Sequence, residues 1–171
     1  MVLSSPAVVL FFRVLLLVLK NLFRRRIDVQ GESVITLRVW PTDMDLNFHL
    51  NDGRYVSLTG LGRIDLLSRT GLLRKAMQRR WYPVVGATMI RYRREIKAFE
   101  KFSMHSRIVG WDDKWCYFEH RFEKGGTVAA LAYARGVMRT REGSVPSSDV
   151  LALIGITTPS PPLPEAVQHW P

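Results

Sequence analysis

The sequence predicts a single α+β domain in which one long helix packs against a mostly antiparallel sheet. Three observations favour it: an alternating strand-like segment near residue 35, a long amphipathic helix after it, and four further strand-like segments with short connections. The chain has 171 residues, of which 47% are hydrophobic, so it can bury one core but is too short for two ordinary domains. We expect an N-terminal segment over 1–30, the domain over 31–156 and a tail over 157–171.

The first strand is predicted from residues 35–40, where apolar and polar side chains alternate with a period of two. Pro41 ends the strand because proline lacks the backbone N–H of a sheet ladder. The polar segment that follows has no periodicity and is expected to be a loop that leads into a helix. Either Asn51 or Asp52 can accept a hydrogen bond as the helix N-cap.

The long helix should run from about Gly53 to Thr70, followed by Gly71 as a C-terminal cap. Its apolar face is formed by Tyr55, Val56, Leu58, Leu61, Ile64, Leu66 and Leu67. Gly60 and Gly62 each lower helix propensity by about 1 kcal/mol relative to alanine. Two such residues indicate that another element, such as a sheet curved around the helix, approaches closely.

Four strands are predicted after a basic connector over residues 74–80. They cover about Val84 to Ile96, Phe102 to Trp111, Trp115 to Glu123 and Thr127 to Thr140. Asp112-Asp113 and Gly125-Gly126 are hairpin turn signals, so the last strands should pair antiparallel. An exposed sheet edge favours pairing with another copy, and we therefore expect a homodimer or higher oligomer. The four prolines of the tail favour an extended chain without regular structure.

The N-terminal segment is apolar from Ala7 to Leu19 except for Arg13, and a basic cluster, Arg24 to Arg26, follows it. A membrane-spanning helix needs about 20 apolar residues, and a central arginine costs at least about 2.5 kcal/mol. Two alternatives stay open: membrane contact through residues 1–26, or a helix packed on the domain or at a dimer contact. The segment matches a secretory signal poorly, because its basic residues follow the apolar stretch and no small-residue cleavage site is present. If it meets a bilayer, the basic residues should stay on the cytoplasmic side, so we expect a cytoplasmic domain. The single cysteine, Cys116, fits a reducing compartment and a core position.

The chain carries a formal charge of +10, from 25 Lys and Arg against 15 acidic residues, which favours an anionic partner. No nucleic-acid motif accompanies the scattered basic groups, so nucleic acid is not expected. A phosphorylated carrier such as coenzyme A, or an acidic carrier protein, would suit this surface. A solvated basic surface without a specific partner is the alternative.

Polar side chains crowd the loop just ahead of the long helix: Asp43, Asp45, Asn47, His49, Asn51 and Asp52. The first N–H groups of a helix are unpaired and its dipole is positive there, so a carbonyl oxygen gaining charge could be stabilised. A carboxylate and an imidazole could position water or take its proton. Alternatively, these residues only shape turns and cap the helix. No second histidine or cysteine has ligand spacing, so neither a metal nor another cofactor is expected.

Two blocks resemble those of hotdog-fold acyl thioesterases. Residues 45–51 followed by Tyr55 resemble the DxNxHxNxxxY signature of the plant acyl-carrier-protein thioesterases, and residues 92–95 resemble their YRRE block, which lies on a strand after the central helix. The chain is also similar to the member 6 group of the thioesterase superfamily, which shares the apolar N-terminal segment. The resemblance covers about Val34 to Thr140. Asp52 and Ile96 depart from it, replacing an asparagine and a cysteine.

The resemblance implies a hotdog fold and an active site formed by Asp45, Asn47, His49 and Glu95. Asp45 or Glu95 would be the base or the attacking carboxylate, while Asn47 and His49 would hold the nucleophile and polarise the carbonyl. The backbone amides of Gly53 and Arg54 would stabilise the oxyanion, with Tyr55 beside the substrate.

The expected activity is hydrolysis of acyl-coenzyme A or acyl-carrier-protein thioesters to an acid and a thiol. Arginines 91, 93 and 94 would then meet the carrier phosphates. The alternative is a non-catalytic acyl-binding or membrane-associated adaptor that keeps the scaffold.

Overall fold

The computed structural model describes residues 6–168 and residue 170. Five strands form one antiparallel sheet in the order β1-β3-β4-β5-β2. They are β1 (Ser33–Arg38), β2 (Tyr82–Tyr92), β3 (Lys101–Trp111), β4 (Cys116–Lys124) and β5 (Thr127–Arg139). The helices are α1 (Pro6–Asn21), α2 (Asp52–Arg69), α3 (Leu72–Gln78), α4 (Ser147–Ala152) and α5 (Glu165–Gln168). The predicted α+β architecture is confirmed.

The central helix α2 lies against the sheet as the sequence indicated. Asn51 is its N-cap, since the side-chain oxygen accepts from the Gly53 amide at 3.0 Å, and Gly71 follows its end with a left-handed φ of +79°. A Cβ on Gly62 would overlap Ser106 Oγ and lie 2.9 Å from Met104 Cε, so the sheet does approach the helix there. Gly60 is different, because its nearest neighbour would be 3.9 Å away. The predicted close approach is therefore confirmed at one glycine only.

Strand β2 ends four residues earlier than predicted. Tyr92 is its last residue, and the amides of Arg93 and Arg94 both donate to the Ala129 carbonyl. The chain then leaves the sheet, and Ile96 is completely buried in the core instead of continuing the strand. The prediction of a strand through residue 96 was wrong. The apolar pattern indicates which residues are buried, and here the buried segment extends beyond the last hydrogen bond of the sheet.

Two short helices replace segments predicted as connector and tail. The connector predicted over residues 74–80 overlaps α3, which begins at Leu72 and buries Leu72 and Ala76. The tail is not simply extended, because α5 begins directly after Pro164 and buries Val167 against the sheet beside Tyr117 and Tyr133. The prolines did not prevent this helix, since proline is tolerated at a helix start.

Helix α1 packs on the domain through one side only. Leu10, Val14 and Leu17 contact the main core, and Arg13 donates to both oxygens of the buried Asp43 carboxylate at 3.0 and 2.6 Å. The opposite side exposes large apolar residues, and Phe23 just beyond the helix is 91% exposed. Within residues 6–168, the helices are all too short or too polar to cross a bilayer.

Candidate active site

A cleft of about 390 Å³ lies where the loop before α2 meets the chain that leaves β2. Backbone hydrogen bonds hold the two segments together: the Leu50 amide donates to the Ile96 carbonyl, and the Ala98 amide donates to the Phe48 carbonyl, both at 2.8 Å. His49 and Lys97 form an isolated antiparallel bridge between them. The side chains on the two segments are therefore positioned by main-chain contacts.

His49 and Glu95 face each other in this cleft. His49 Nε2 lies 3.3 Å from Glu95 Oε2, while the other carboxylate oxygen lies 3.1 Å from Lys97 Nζ. The hydrogen bond from Lys97 is the main cause that lowers the pKa of Glu95, with His49 contributing and desolvation opposing. Glu95 is therefore an ionised carboxylate near neutral pH, open to water, and in contact with an imidazole.

Asp45 shapes the loop that carries His49. One carboxylate oxygen accepts from the amides of Asn47 at 2.9 Å and His49 at 3.0 Å. Its pKa is lowered, chiefly by the hydrogen bond from the His49 amide. Phe48 adopts a left-handed φ of 61° in the same turn. Asp45 also lines the cleft, so its second oxygen remains available there.

Asn47 does not join the other three signature residues. It is exposed and is not among the residues that line the cleft, and its described contact is the backbone bond to Asp45. The expected meeting of Asn47 and His49 with Glu95 thus holds for His49 and fails for the Asn47 side chain. The cause is local, because Asn47 lies in a tight turn that is held by Asp45 and contains a left-handed residue at Phe48.

The amides expected to form an oxyanion hole are already engaged. The Gly53 N–H donates to the side chains of both Asn51 and Asp52, and the Arg54 N–H donates to the Asn51 carbonyl. The Arg54 guanidinium points elsewhere, donating to the Thr42 carbonyl at 2.6 Å. Neither residue lines the cleft. The α2 residues that do line the cleft are Asp52, at the positive end of the helix, and Tyr55.

Two tyrosines form the apolar wall of the cleft. Tyr55 packs edge to face on Tyr92, with ring centroids 5.1 Å apart, and on Phe122 at 5.0 Å. Burial raises the pKa of Tyr55 to about 12, so its phenol is neutral. The Tyr92 hydroxyl donates to the Asp52 carbonyl at 3.3 Å and thereby ties β2 to the start of α2.

The three candidate arginines divide into two groups. Arg93 and Arg94 line the cleft, whereas Arg91 is exposed and does not. The difference follows from the end of β2 at Tyr92, after which the chain bends towards His49. Lys97 was missed by sequence reasoning, although its position two residues after Glu95 in an exposed segment was the available signal.

Comparison of the sequence with known protein families gives a match over most of this fold. The model of the thioesterase-like superfamily matches residues 39–170, which include the cleft, α2 and all strands after β1. The chain belongs to the thioesterase-like superfamily. Its fold is accordingly the hotdog fold that the sequence motifs implied, which agrees with the helix and sheet described above.

Individual members of the thioesterase-like superfamily extend the comparison. A protein named THEM6 from Danio rerio is 37% identical over 164 residues, which cover 94% of this chain and 79% of that protein. A probable thioesterase of Saccharomyces cerevisiae is 28% identical, covering 68% of this chain and 52% of that protein. A Staphylococcus aureus structure solved in complex with CoA is 17% identical, with a TM-score of 0.63, and covers 84% of this chain and 96% of that one. The structural likeness concerns the fold.

Proposed function

We propose that this protein hydrolyses acyl thioesters in the cleft between the His49 loop and the end of β2. Membership in the thioesterase-like superfamily and thioesterase relatives support thioester hydrolysis as the general activity. The observation that carries the assignment to this cleft is the contact of the His49 imidazole with the ionised Glu95 carboxylate at 3.3 Å. Both groups are partly open to water and lie beside the start of α2.

In the proposed reaction Glu95 is the general base. It takes a proton from water, the water oxygen attacks the thioester carbonyl carbon, and a tetrahedral oxyanion forms. The oxyanion is stabilised by the positive end of α2 and by His49. The C–S bond then breaks, and the departing thiolate receives the proton, so that a carboxylic acid and a thiol leave. Asp45 holds the loop that carries His49 by accepting hydrogen bonds from the backbone amides of Asn47 and His49.

Coenzyme A is the proposed carrier of the acyl group. Arg93 and Arg94 provide two positive charges on the rim of the cleft, suited to the phosphates of the carrier. A structural neighbour was solved with CoA, which supports this choice over an acyl carrier protein. Tyr55 and Tyr92 supply the apolar surface on which the first carbons of the acyl chain would lie.

The test is thiol release from a series of acyl-CoA chain lengths and from the same acyl groups on acyl carrier protein. Native protein is compared with Asp45→Asn and Glu95→Gln. We expect turnover by the native protein, a large loss in Glu95→Gln, and a smaller loss in Asp45→Asn, whose amide oxygen can still accept the two backbone bonds. Equal slow rates for all three proteins would contradict hydrolysis and favour an acyl-binding role.

We also propose that two copies associate through β2. This strand is at one edge of the sheet, has eleven residues, and exposes Val85 and Met89 by 42% and 38%. Within the described residues no strand pairs with the outer edge of β2, and a long apolar edge strand favours pairing with another chain. Such a contact would also bring a second copy near Tyr92 and the cleft.

The second candidate function is a membrane-associated adaptor, favoured by the exposed face of α1. Its apolar residues and those just after it include Phe11, Phe12, Leu15, Leu16, Leu19, Leu22 and Phe23. Arg25 and Arg26, which follow at once and are largely exposed, suit the cytoplasmic face of a bilayer. Fractionation of the full-length protein tests this contact, and full recovery without detergent in the soluble fraction would contradict it.

A further inference from the structure

An apolar cavity of about 200 Å³ lies apart from the cleft, between the second half of α2 and the sheet. Its walls come from α2, α3, α4 and strands β2 to β5, and include Leu67, Val85, Phe118, Met138 and Leu151. Val85 is 42% exposed and Lys114 is exposed, so both lie where the cavity meets the surface. Its shape and lining suit a small apolar molecule.

One side chain in this cavity does not fit an apolar role. Arg63 lies among the lining residues and donates one hydrogen bond, from Nη1 to Thr59 Oγ1 at 3.0 Å. A guanidinium has five N–H donors, and a charge held among apolar side chains is costly unless it is paired. Burial lowers the pKa of Arg63 to about 10, which still leaves it positively charged at neutral pH.

Two other partly buried arginines of this protein are paired with carboxylates. Arg13 contacts Asp43 at 2.6 Å, and Arg24 contacts Asp65 at 2.8 Å. Among residues 6–168 and 170, the hydrogen-bond partner of Arg63 is a neutral hydroxyl from the same helix, that of Thr59. No acidic residue lines the cavity within the described part of the chain, whereas a second cation, Lys114, does. The cavity therefore combines positive charge with apolar walls and lacks the complementary negative charge.

The neighbouring histidine does not compensate. His120 is fully buried, and its pKa is lowered, mainly by burial and further by Arg63, so the ring is neutral. Its Nδ1 pairs with Ser106 Oγ at 2.8 Å, while Nε2 has no hydrogen-bond partner in the part of the chain that the structure describes. The ring stacks on Phe118, which forms part of the cavity wall. The charge of Arg63 therefore acts on a buried neutral histidine and is not balanced by it.

We infer that this cavity binds an apolar carboxylic acid, with its hydrocarbon against the apolar walls and its carboxylate paired with the Arg63 guanidinium. A planar carboxylate matches the guanidinium fork and would supply the missing acceptor and charge. The bulky, strongly hydrated phosphates of a nucleotide suit these apolar walls poorly.

The carboxylate has two possible sources. It can belong to a free fatty acid, or it can be the far end of a dicarboxylic acyl chain whose thioester lies in the cleft. Arg63 is eight residues beyond Tyr55 on α2, about 12 Å along the helix axis, so one extended molecule could reach both. The second source rests on the proposed thioesterase function, whereas the first does not.

Binding of decanoate and of decanol, measured by calorimetry, tests the site directly. Native protein should bind decanoate about tenfold tighter or more than decanol, as expected for a hydrogen bond between charged groups. Arg63→Gln should remove this difference, Arg63→Lys should keep part of it, and Arg74→Gln, a change at an exposed arginine on α3, should leave it unchanged. Thermal unfolding of each variant checks that the fold is intact.

The inference is overturned if native protein binds neither ligand, binds both equally, or if Arg63→Gln keeps the preference for decanoate. In that case the guanidinium simply reaches water through the mouth of the cavity.

Thiol release then separates the two sources. If thiol release is faster from a dicarboxylic monoacyl-CoA than from the matching monocarboxylic one, and Arg63→Gln removes the difference, the site binds the far carboxylate of a substrate. If decanoate binds but thiol release shows no such preference, the site binds a free acid. If no thioester is cleaved while decanoate still binds through Arg63, the proposed thioesterase function is contradicted and the proposed carboxylate site is supported.

Discussion

His49 Nε2 lies 3.3 Å from Glu95 Oε2. In the sequence His49 precedes α2 and Glu95 follows β2, so both elements separate the two residues along the chain. The contact depends on main-chain hydrogen bonds, of Leu50 to Ile96 and of Ala98 to Phe48. Replacing either side chain should therefore change the chemistry of the cleft without separating the two segments. This makes the pair suited to mutational tests.

The acid limb of the activity should depend on Lys97. Its hydrogen bond lowers the pKa of Glu95, so the base stays ionised as the pH falls through the usual glutamate range. Lys97→Met removes that bond and should raise this pKa, so that kcat/KM begins to fall at a higher pH than in the native protein.

The measurement is the pH profile of kcat/KM for thiol release by the two proteins, with Lys101→Met as an exposed control. An acid limb at the same pH in native protein and Lys97→Met would show that Glu95 is not the group that titrates.

The two glycines of α2 should respond in opposite ways to alanine. In Gly62→Ala the new Cβ would overlap Ser106 Oγ and crowd Met104, at a cost of about 1–3 kcal/mol in the free energy of unfolding. In Gly60→Ala the nearest atom is 3.9 Å away, so the helix should gain up to about 1 kcal/mol in propensity. Urea unfolding of both variants measures the difference, and equal destabilisation would contradict the packing described.

These two glycines also indicate what the sequence could predict. The apolar period located α2, and a helix carrying two glycines implied a close neighbour, but spacing alone did not reveal which glycine faced the sheet. Val56 was placed on the apolar face and is 44% exposed. Hairpin turns at Asp112-Asp113 and Gly125-Gly126 were predicted correctly because they depend on local conformation.

The sequence predicted the candidate site in part, since it identified residues but did not show how the folded chain arranges them. The motifs identified His49 and Glu95, and their segments meet through long-range backbone bonds that only the folded chain provides. The direction of the Asn47 side chain depends on a turn with a left-handed residue at Phe48, which is unusual for a phenylalanine. The hydrogen bonds that occupy the Gly53 and Arg54 amides follow from the local cap at Asn51, which sequence reasoning did identify as a candidate.

The proposed association through β2 should be sensitive to charge on that strand. Met89→Lys places a cation on the exposed edge and should shift the protein from dimer to monomer in sedimentation velocity. Met77→Lys makes the same change on α3, where methionine is 65% exposed, and should leave the dimer intact. A monomeric native protein, or dimers in both variants, would contradict association through this edge.

The most direct test of the central claim is the single-turnover rate of thiol release by Glu95→Ala, measured without and with added formate. Loss of the base should slow the reaction about 100-fold or more, and formate should restore part of the rate by entering the vacated position. Glu142→Ala, at an exposed glutamate, should match native protein in both conditions. A rate for Glu95→Ala close to that of native protein would contradict the assignment of Glu95 as the base.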